Sequence, residues 1–216
     1  MAEKEWRIGE KNAILQYIVS TMQKQPILNI AHILLDSAAN GPGRRDVIWL
    51  QGCSIGCPGC FNQQLWSYEP KHLIPVDSLL GKLANRIDQV EGITITGGEP
   101  MEQVEALVHL LDGVKNLGLS TFVYTGFTLE YLQSRKQAAI NEALKLIDLL
   151  VDGPYVAAKT TDTLPWRGSQ NQQIHFLTER YNDCCLQTQA VRREHQVFVQ
   201  QSEVQVVKTG IIENKE

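Results

Sequence analysis

Three cysteines crowd into one short segment, residues 51–62, which reads QGCSIGCPGCFN. Cys53, Cys57 and Cys60 have the spacing C-x3-C-x2-C, and thiols are the soft ligands that zinc and iron–sulfur clusters prefer. Glycines and a proline separate them, and glycine lets a backbone wrap closely around a bulky group. A metal or redox site in this segment is the strongest constraint that the sequence places on the fold.

A disulfide framework fits the remaining cysteines poorly. The chain has five cysteines, an odd number, and Cys184 and Cys185 are adjacent. Disulfide geometry disfavours bonding between neighbouring residues. The cysteine pattern therefore favours ligation over cross-linking.

Two metal interpretations remain for the loop. A structural zinc site takes four ligands, so the loop would need a distant fourth one, such as His32, His72 or Cys184. A 4Fe–4S cluster also usually takes four thiolates. Three thiolates on such a cluster leave one iron open, and an open iron can bind a substrate.

Length, charge and hydropathy narrow the class of protein. The chain has 216 residues, 43% of them hydrophobic, and a formal net charge of −4. We expect one core domain at residues 27–181, an N-terminal extension at 1–26, and a C-terminal extension at 182–216 that can form a β-hairpin.

The sequence also argues against two kinds of partner. It has no stripe of basic residues of the kind that binds nucleic acid, and it has no apolar run long enough to span a membrane. The first ten residues lack a secretory apolar core, which predicts a cytoplasmic protein.

Buried strands alternate with amphipathic helices along the core. Short β-branched runs at 46–51, 92–96, 120–125 and 148–153 each end in a polar loop that carries glycine. This α/β alternation predicts parallel strands with crossover helices. Because ligands bind at the carboxyl ends of parallel strands, the cysteine loop and the GGEP segment at 97–100 should share one face.

The strand ends supply further candidate residues. Gly97 and Gly98 let a ligand approach the main chain, and Glu99 offers a carboxylate to a cationic group. Thr125 and Asp152 end the next two strands. Each also has a structural alternative, because GGEP and Thr125 fit an ordinary strand-to-helix turn and Asp152 fits a helix cap.

The cysteine loop after a strand, with GGEP after the next strand, resembles the radical S-adenosylmethionine (SAM) superfamily. Within it the chain is most similar to the glycyl-radical-enzyme activases, in particular those of anaerobic ribonucleoside-triphosphate reductase. The resembling stretches cover roughly residues 27–180 and are NGPGRR (40–45), the cysteine loop with Trp66, TGGEP, VYTGFTLEYL (123–132), VDGPYV (151–156) and RGSQNQ (167–172).

The resemblance implies a partial, open (β/α)6-type barrel and a specific chemistry. The three cysteines would hold a 4Fe–4S cluster, and SAM would bind the fourth iron. Reductive cleavage of SAM would give a 5′-deoxyadenosyl radical that takes a hydrogen atom from a glycine of a larger glycyl-radical partner, with flavodoxin or ferredoxin as the external reductant. The implied SAM-binding residues are Gly59, Phe61, Gly97, Gly98, Glu99, Thr125 and Asp152.

Two parts of the sequence depart from the resemblance. Many radical SAM enzymes place an aromatic residue before the third cysteine, whereas here Gly59 precedes it and Phe61 follows it. The first 25 residues, the last 35 and the Cys184–Cys185 pair are not explained by it.

Three functions stay open at this point. The first is an activase, and the second is the same SAM chemistry on another peptide or small molecule. The third is a non-catalytic iron–sulfur sensor or electron carrier, which needs no ligand pocket.

Overall fold

A computed structural model describes residues 25–182, 196–200, 203–208 and 211–215. The segment AILQYIVSTM (13–22), whose composition predicts a short helix, and the Cys184–Cys185 pair lie outside these residues. Among the residues that the structure describes, no helix is long and apolar enough to cross a membrane.

The core is one open sheet of seven strands with four α-helices. The strands are β1 (Ile27–Ser37), β2 (Arg45–Leu50), β3 (His72–Pro75), β4 (Gly92–Gly97), β5 (Ser120–Tyr124), β6 (Leu149–Asp152) and β7 (Gln173–Phe176). The helices are α1 (Val76–Ala84), α2 (Val104–Asn116), α3 (Leu129–Ser134) and α4 (Ala138–Leu146). The strand order is β3-β1-β2-β4-β5-β6-β7. The predicted α/β class is confirmed as a mixed α/β sheet that does not close.

The parallel part of the sheet contains β2, β4, β5 and β6, side by side. Antiparallel strands complete both edges, with β1 and β3 on one side and β7 on the other. The family resemblance implies a partial barrel of about six βα units. The described residues contain four parallel strands, because β1 pairs directly with β2 through a short turn and no helix separates them.

All four helices pack on one face of the sheet. The largest apolar cluster joins alternate residues of the parallel strands, such as Ile48, Ile95 and Leu150, to the apolar stripes of the helices. Residues that point to the other face form two smaller clusters, one around Trp49 and one around Phe122, in which no α-helix residue takes part. One-sided helix packing leaves the second face of the sheet available for a cleft.

Helix boundaries follow local capping signals. The Glu99 side chain accepts a hydrogen bond from the Met101 amide, and Pro100 begins a 3-10 turn that leads into α2. Thr128 caps α3 in the same way. The apolar spacing in residues 75–90 predicts a helix with Ile87 on its apolar face. Helix α1 instead ends at Ala84, and Ile87 is 45% exposed.

In two further regions the observed strands differ from what the sequence pattern predicts. The polar stretch at 163–181, which has no clear period, contains strand β7. Strands β8 (Gln196–Gln200), β9 (Glu203–Lys208) and β10 (Ile211–Lys215) form a separate antiparallel sheet in the C-terminal region where we expected a hairpin.

Candidate functional site

The loops that follow the four parallel strands surround one cleft of about 780 Å³, including the solvent at its mouth. The loop after β2 contributes all three cysteines of the C-x3-C-x2-C segment. The loops after β4 and β5 contribute Gly97 to Glu99 and Thr125, and the loop after β6 contributes Tyr155. The cysteine loop and GGEP therefore share one face, as their positions at strand ends predict.

The cysteine loop is folded by its own backbone bonds. The Cys53 amide donates to the Trp66 carbonyl, and the Cys60 amide donates to the Cys57 carbonyl. The Asn62 amide lies 3.4 Å from the Cys60 sulfur. Gly52 has a φ of 102° and lies against the Tyr68 ring, so a β-carbon there would overlap the ring. These contacts hold the three thiols in one half-buried arc.

The thiols are free and are surrounded by backbone amides. Burial raises the pKa of the Cys53 and Cys57 thiols. Backbone hydrogen bonds from Ile55 and Gly56 to Cys53, and from Tyr155 to Cys57, act in the opposite direction. Amides that point at sulfur favour the thiolate form and stabilise a sulfur-ligated cluster.

The donor set of the cleft fits an iron–sulfur cluster. Within the described part of the chain, no three His, Cys, Asp or Glu side chains converge tightly enough to hold one metal ion. A single zinc ion draws its ligands to one centre. A 4Fe–4S cluster spreads its thiolates over different irons, and three free cysteines along one wall of an open cleft fit that donor set.

The GGEP segment is packed directly against the cysteine loop. The Gly98 amide donates to the Leu50 carbonyl at 2.7 Å, and the Glu99 amide donates to the Gly52 carbonyl at 2.8 Å. A β-carbon on Gly98 would lie 2.1 Å from the Gly52 carbonyl oxygen, and one on Gly97 would meet the Leu50 backbone. The glycines are needed for this close approach of two backbones, and the Gly98 and Glu99 amides are already used within the protein.

Glu99 is buried at the base of the cleft. Its Oε1 atom accepts from the Met101 amide and the Thr125 hydroxyl, and its Oε2 atom accepts from the Gly126 amide. Burial is the main cause that raises the Glu99 pKa to about 7, although these three hydrogen bonds lower it. A carboxylate accepts about four hydrogen bonds, so Oε2 keeps one position open to a ligand.

Thr125 acts on the cleft through Glu99. Its hydroxyl donates to Glu99 Oε1 at 2.8 Å and accepts from the Phe127 amide at 3.2 Å. Both bonds lie within the protein. The residue lines the cleft, and its hydroxyl joins the loop after β5 to the loop after β4.

Asp152 and Gly59 lie outside the lining of the cleft. The Asp152 carboxylate accepts from the Leu129 amide at the start of α3 and lies 3.1 Å from the His175 ring nitrogen. This is the helix-cap alternative of the sequence analysis. Gly59 is exposed, and a β-carbon on it would lie 3.1 Å from that of Ala157.

Phe61 lines the cleft and contacts a residue that the sequence analysis missed. Its ring centroid lies 4.8 Å from that of Tyr155, and both rings face the cleft. The loop after β6 therefore reaches back to the cysteine loop. A single tyrosine after a glycine and a proline gave no sequence signal of this role.

Other lining residues were also missed or left open. Tyr124 and Trp166 line the cleft, and within the RGSQNQ stretch Gly168 and Gln172 do so. An aromatic residue at a strand end or in a loop reads as ordinary packing, so only the three-dimensional arrangement identifies Tyr124 and Trp166.

The two arginines of NGPGRR lie at the opposite end of the sheet from the cleft. Arg45 is fully buried, donates to the Thr94 and Ser120 hydroxyls at 2.8 Å, and lies over the Phe122 ring. Arg44 pairs with Asp36 at the surface. Neither arginine lines the cleft.

Comparisons with known proteins agree with this site. A family model described as a 4Fe-4S single cluster domain matches residues 39–175. Anaerobic ribonucleoside-triphosphate reductase-activating proteins from three bacteria are similar over about 145 residues. The protein from Vibrio cholerae is 34% identical over 64% of this chain and 92% of its own length. Those from Escherichia coli and Haemophilus influenzae are 33% and 32% identical, over 92% and 90% of their lengths and 64% and 63% of this chain.

Proposed function

The chain belongs to the family of the anaerobic ribonucleoside-triphosphate reductase-activating proteins, and from this premise we propose that it is a radical SAM enzyme that generates a glycyl radical on an anaerobic ribonucleotide reductase. The observation that carries the proposal is that one cleft collects the three cysteines together with Glu99 and Thr125. A 4Fe–4S cluster and SAM are the cofactors.

Cys53, Cys57 and Cys60 are the proposed ligands of the cluster. When bound and given one electron by an external donor, the cluster and SAM would supply the radical chemistry that removes a hydrogen atom from the partner's glycine. The protein would contribute the three thiolates that hold the cluster and the backbone amides that point at Cys53 and Cys57.

The loops after β4 and β5 form the proposed SAM-binding wall. Glu99 would accept from the methionine amino group with the free position on Oε2, and Thr125 would hold the Glu99 carboxylate in place. Gly97 and Gly98 would act by bringing this wall within hydrogen-bond distance of the cysteine loop.

Residues of the cysteine loop, together with residues at the end of β6 and just after it, complete the proposed SAM-binding pocket. Phe61, packed on Tyr155, would face the adenine, and the bend at Gly59 would place Phe61 there. Asp152 would contribute indirectly, since it fixes the start of α3 behind the cleft.

We further propose that the sheet is the partial, open barrel typical of radical SAM enzymes. The one-sided helix layer supports this, because barrels carry helices on the outside only. The open side next to β7 would admit a glycine-bearing loop of the partner, and an external one-electron donor such as flavodoxin or ferredoxin would reduce the cluster.

Anaerobic reconstitution tests the proposal. The protein is loaded with iron and sulfide, reduced with dithionite and mixed with SAM, and 5′-deoxyadenosine is quantified. Wild type should form it, whereas Cys57→Ala should not. Gln64→Ala, which removes an exposed side chain just beyond the cysteines, is the matched control and should behave as wild type.

The outcomes separate the candidate functions. A cluster that forms and is reduced but neither binds nor cleaves SAM would contradict the enzyme and favour a sensor or electron carrier. Cleavage of SAM without transfer of a hydrogen atom from a reductase would favour another peptide or small-molecule substrate.

A further inference from the structure

The Tyr124 hydroxyl is a buried polar group in the cleft. Tyr124 is the last residue of β5, and its side chain lines the cleft beside Trp166. The hydroxyl oxygen is shielded from solvent and has no hydrogen-bond partner among the residues that the structure describes. A buried donor without a partner is uncommon, and its presence in a binding cleft indicates a ligand group that completes it.

The ring of Tyr124 is held in place by neighbouring aromatic rings. It stacks on Phe122 with centroids 4.8 Å apart and an interplanar angle of 27°, and Trp166 packs edge-on against Phe122 at 5.7 Å. This packing fixes the direction of the hydroxyl. The ring therefore cannot swing toward a partner elsewhere without breaking the stack.

Three other polar side chains of the cleft already have partners within the protein. Glu99 accepts from three donors, and the Thr125 hydroxyl is one of them. The Gln172 side chain accepts from the Gly168 amide and donates to the Gly153 carbonyl. Tyr124 differs from these three residues because its hydroxyl has no partner at all among the residues that the structure describes.

We propose that the Tyr124 hydroxyl donates a hydrogen bond to an oxygen atom of bound SAM, which makes Tyr124 a binding residue of the cleft. This inference rests on the proposed function. Burial raises the pKa of Tyr124, so the phenol remains a protonated donor at neutral pH. The acceptors that SAM offers to a phenol are its carboxylate and its ribose oxygens.

Tyr124→Phe tests the inference because it removes one oxygen and keeps the stacked ring. On the reconstituted protein, anaerobic equilibrium dialysis should show SAM binding weakened by about 3- to 10-fold, the effect of one lost hydrogen bond. Tyr131→Phe is the matched control. Tyr131 is an exposed tyrosine of α3 whose hydroxyl contacts Arg135, and its loss should leave SAM affinity unchanged.

A truncated ligand identifies the acceptor. 5′-Methylthioadenosine keeps the ribose of SAM but lacks its carboxylate. Equal weakening of both ligands in Tyr124→Phe assigns the hydrogen bond to the ribose. Weakening of SAM alone assigns it to the carboxylate.

Thermal unfolding gives a readout that does not depend on catalysis. Without SAM, Tyr124→Phe should melt at the wild-type temperature or above, because it removes an unsatisfied buried group. The rise in Tm that SAM produces should be smaller in the variant. A variant that melts lower without SAM, or fails to fold, would show that the protein itself satisfies the hydroxyl, and would overturn the inference.

The failure of this inference is distinguishable from failure of the proposed function. Wild type that does not bind SAM would contradict the proposed function. Wild type and Tyr124→Phe that bind SAM equally well would overturn the role of Tyr124 and leave the proposed function standing.

Discussion

The Thr125 hydroxyl lies 2.8 Å from Oε1 of Glu99, and this bond ties the loop after β5 to the loop after β4. The Glu99 backbone amide in turn donates to the Gly52 carbonyl, one residue before the first cysteine. The carboxyl ends of β2, β4 and β5 are thus joined through one buried glutamate. The geometry of the cleft depends on this connection.

Thr125→Ala should weaken the connection. The variant removes one donor to Glu99 Oε1 and the acceptor of the Phe127 amide, both inside the protein. We expect the free energy of unfolding to fall by about 1–3 kcal/mol, measured by urea denaturation. Thr125→Ser keeps the hydroxyl and should recover most of the loss. Equal losses in both variants would show that the methyl group, rather than the hydroxyl, stabilises the site.

Glu99 should make stability depend on pH. Its pKa is raised from 4.5 to about 7 on folding, so the fold favours the protonated carboxyl. The contribution of Glu99 to the free energy of unfolding is complete below pH 4.5, decreases as the pH rises, and is lost above about pH 7. The free energy of unfolding should therefore fall by about 3 kcal/mol across this range. Denaturant unfolding of the cluster-free protein at about pH 5 and about pH 8 measures it.

Two variants control the Glu99 experiment. Glu99→Gln removes the titrating group, so its unfolding free energy should vary less with pH than that of wild type. Glu105→Gln removes an exposed carboxylate from α2 and should preserve the wild-type pH dependence. A wild-type curve that runs parallel to that of Glu99→Gln would contradict the raised pKa.

Gly98→Ala should disrupt the contact between GGEP and the cysteine loop. The new methyl group would lie 2.1 Å from the Gly52 carbonyl oxygen, a backbone atom that no side-chain rotation can move. We expect a loss of about 3 kcal/mol in unfolding free energy and lower iron content after reconstitution. Gly81→Ala is the matched control, since its β-carbon meets nothing within 4 Å in helix α1. It should stabilise the protein by about 0.5–1 kcal/mol.

Substitution by methionine should destabilise the protein much more at Arg45 than at Arg44. Arg45→Met leaves the buried Thr94 and Ser120 hydroxyls without their guanidinium donor, and it should cost about 3 kcal/mol or more. Arg44→Met removes an exposed ion pair with Asp36 and should change stability by no more than about 0.5 kcal/mol. Thermal melts of the two variants compare these costs, and equal melting temperatures would contradict the buried role of Arg45.

The sequence predicted which loops meet at the site because strand ends can be read from hydrophobic runs. Cys53, Glu99 and Thr125 each follow a short apolar strand, and parallel strands bring their carboxyl ends to one edge. The family prediction is confirmed by the comparisons, and it rested on motifs at these strand ends.

The pattern of hydrophobic runs does not show where a side chain points or which groups it contacts. Asp152 ends a strand as Thr125 does, yet its carboxylate faces the start of α3 rather than the cleft. Tyr124 looks like a core aromatic residue in the sequence, and only the stack on Phe122 shows where its hydroxyl points. Strand β7 is short and polar, so pairing with β6 decides its conformation instead of any periodicity.

The most direct test of the account is transfer of a hydrogen atom from the reductase. The reduced, reconstituted protein is mixed with SAM and an anaerobic ribonucleoside-triphosphate reductase whose glycines carry deuterium. The account predicts a glycyl radical in the electron paramagnetic resonance spectrum and deuterium in the 5′-deoxyadenosine. Formation of 5′-deoxyadenosine with no radical on the reductase and no deuterium in the product would contradict it.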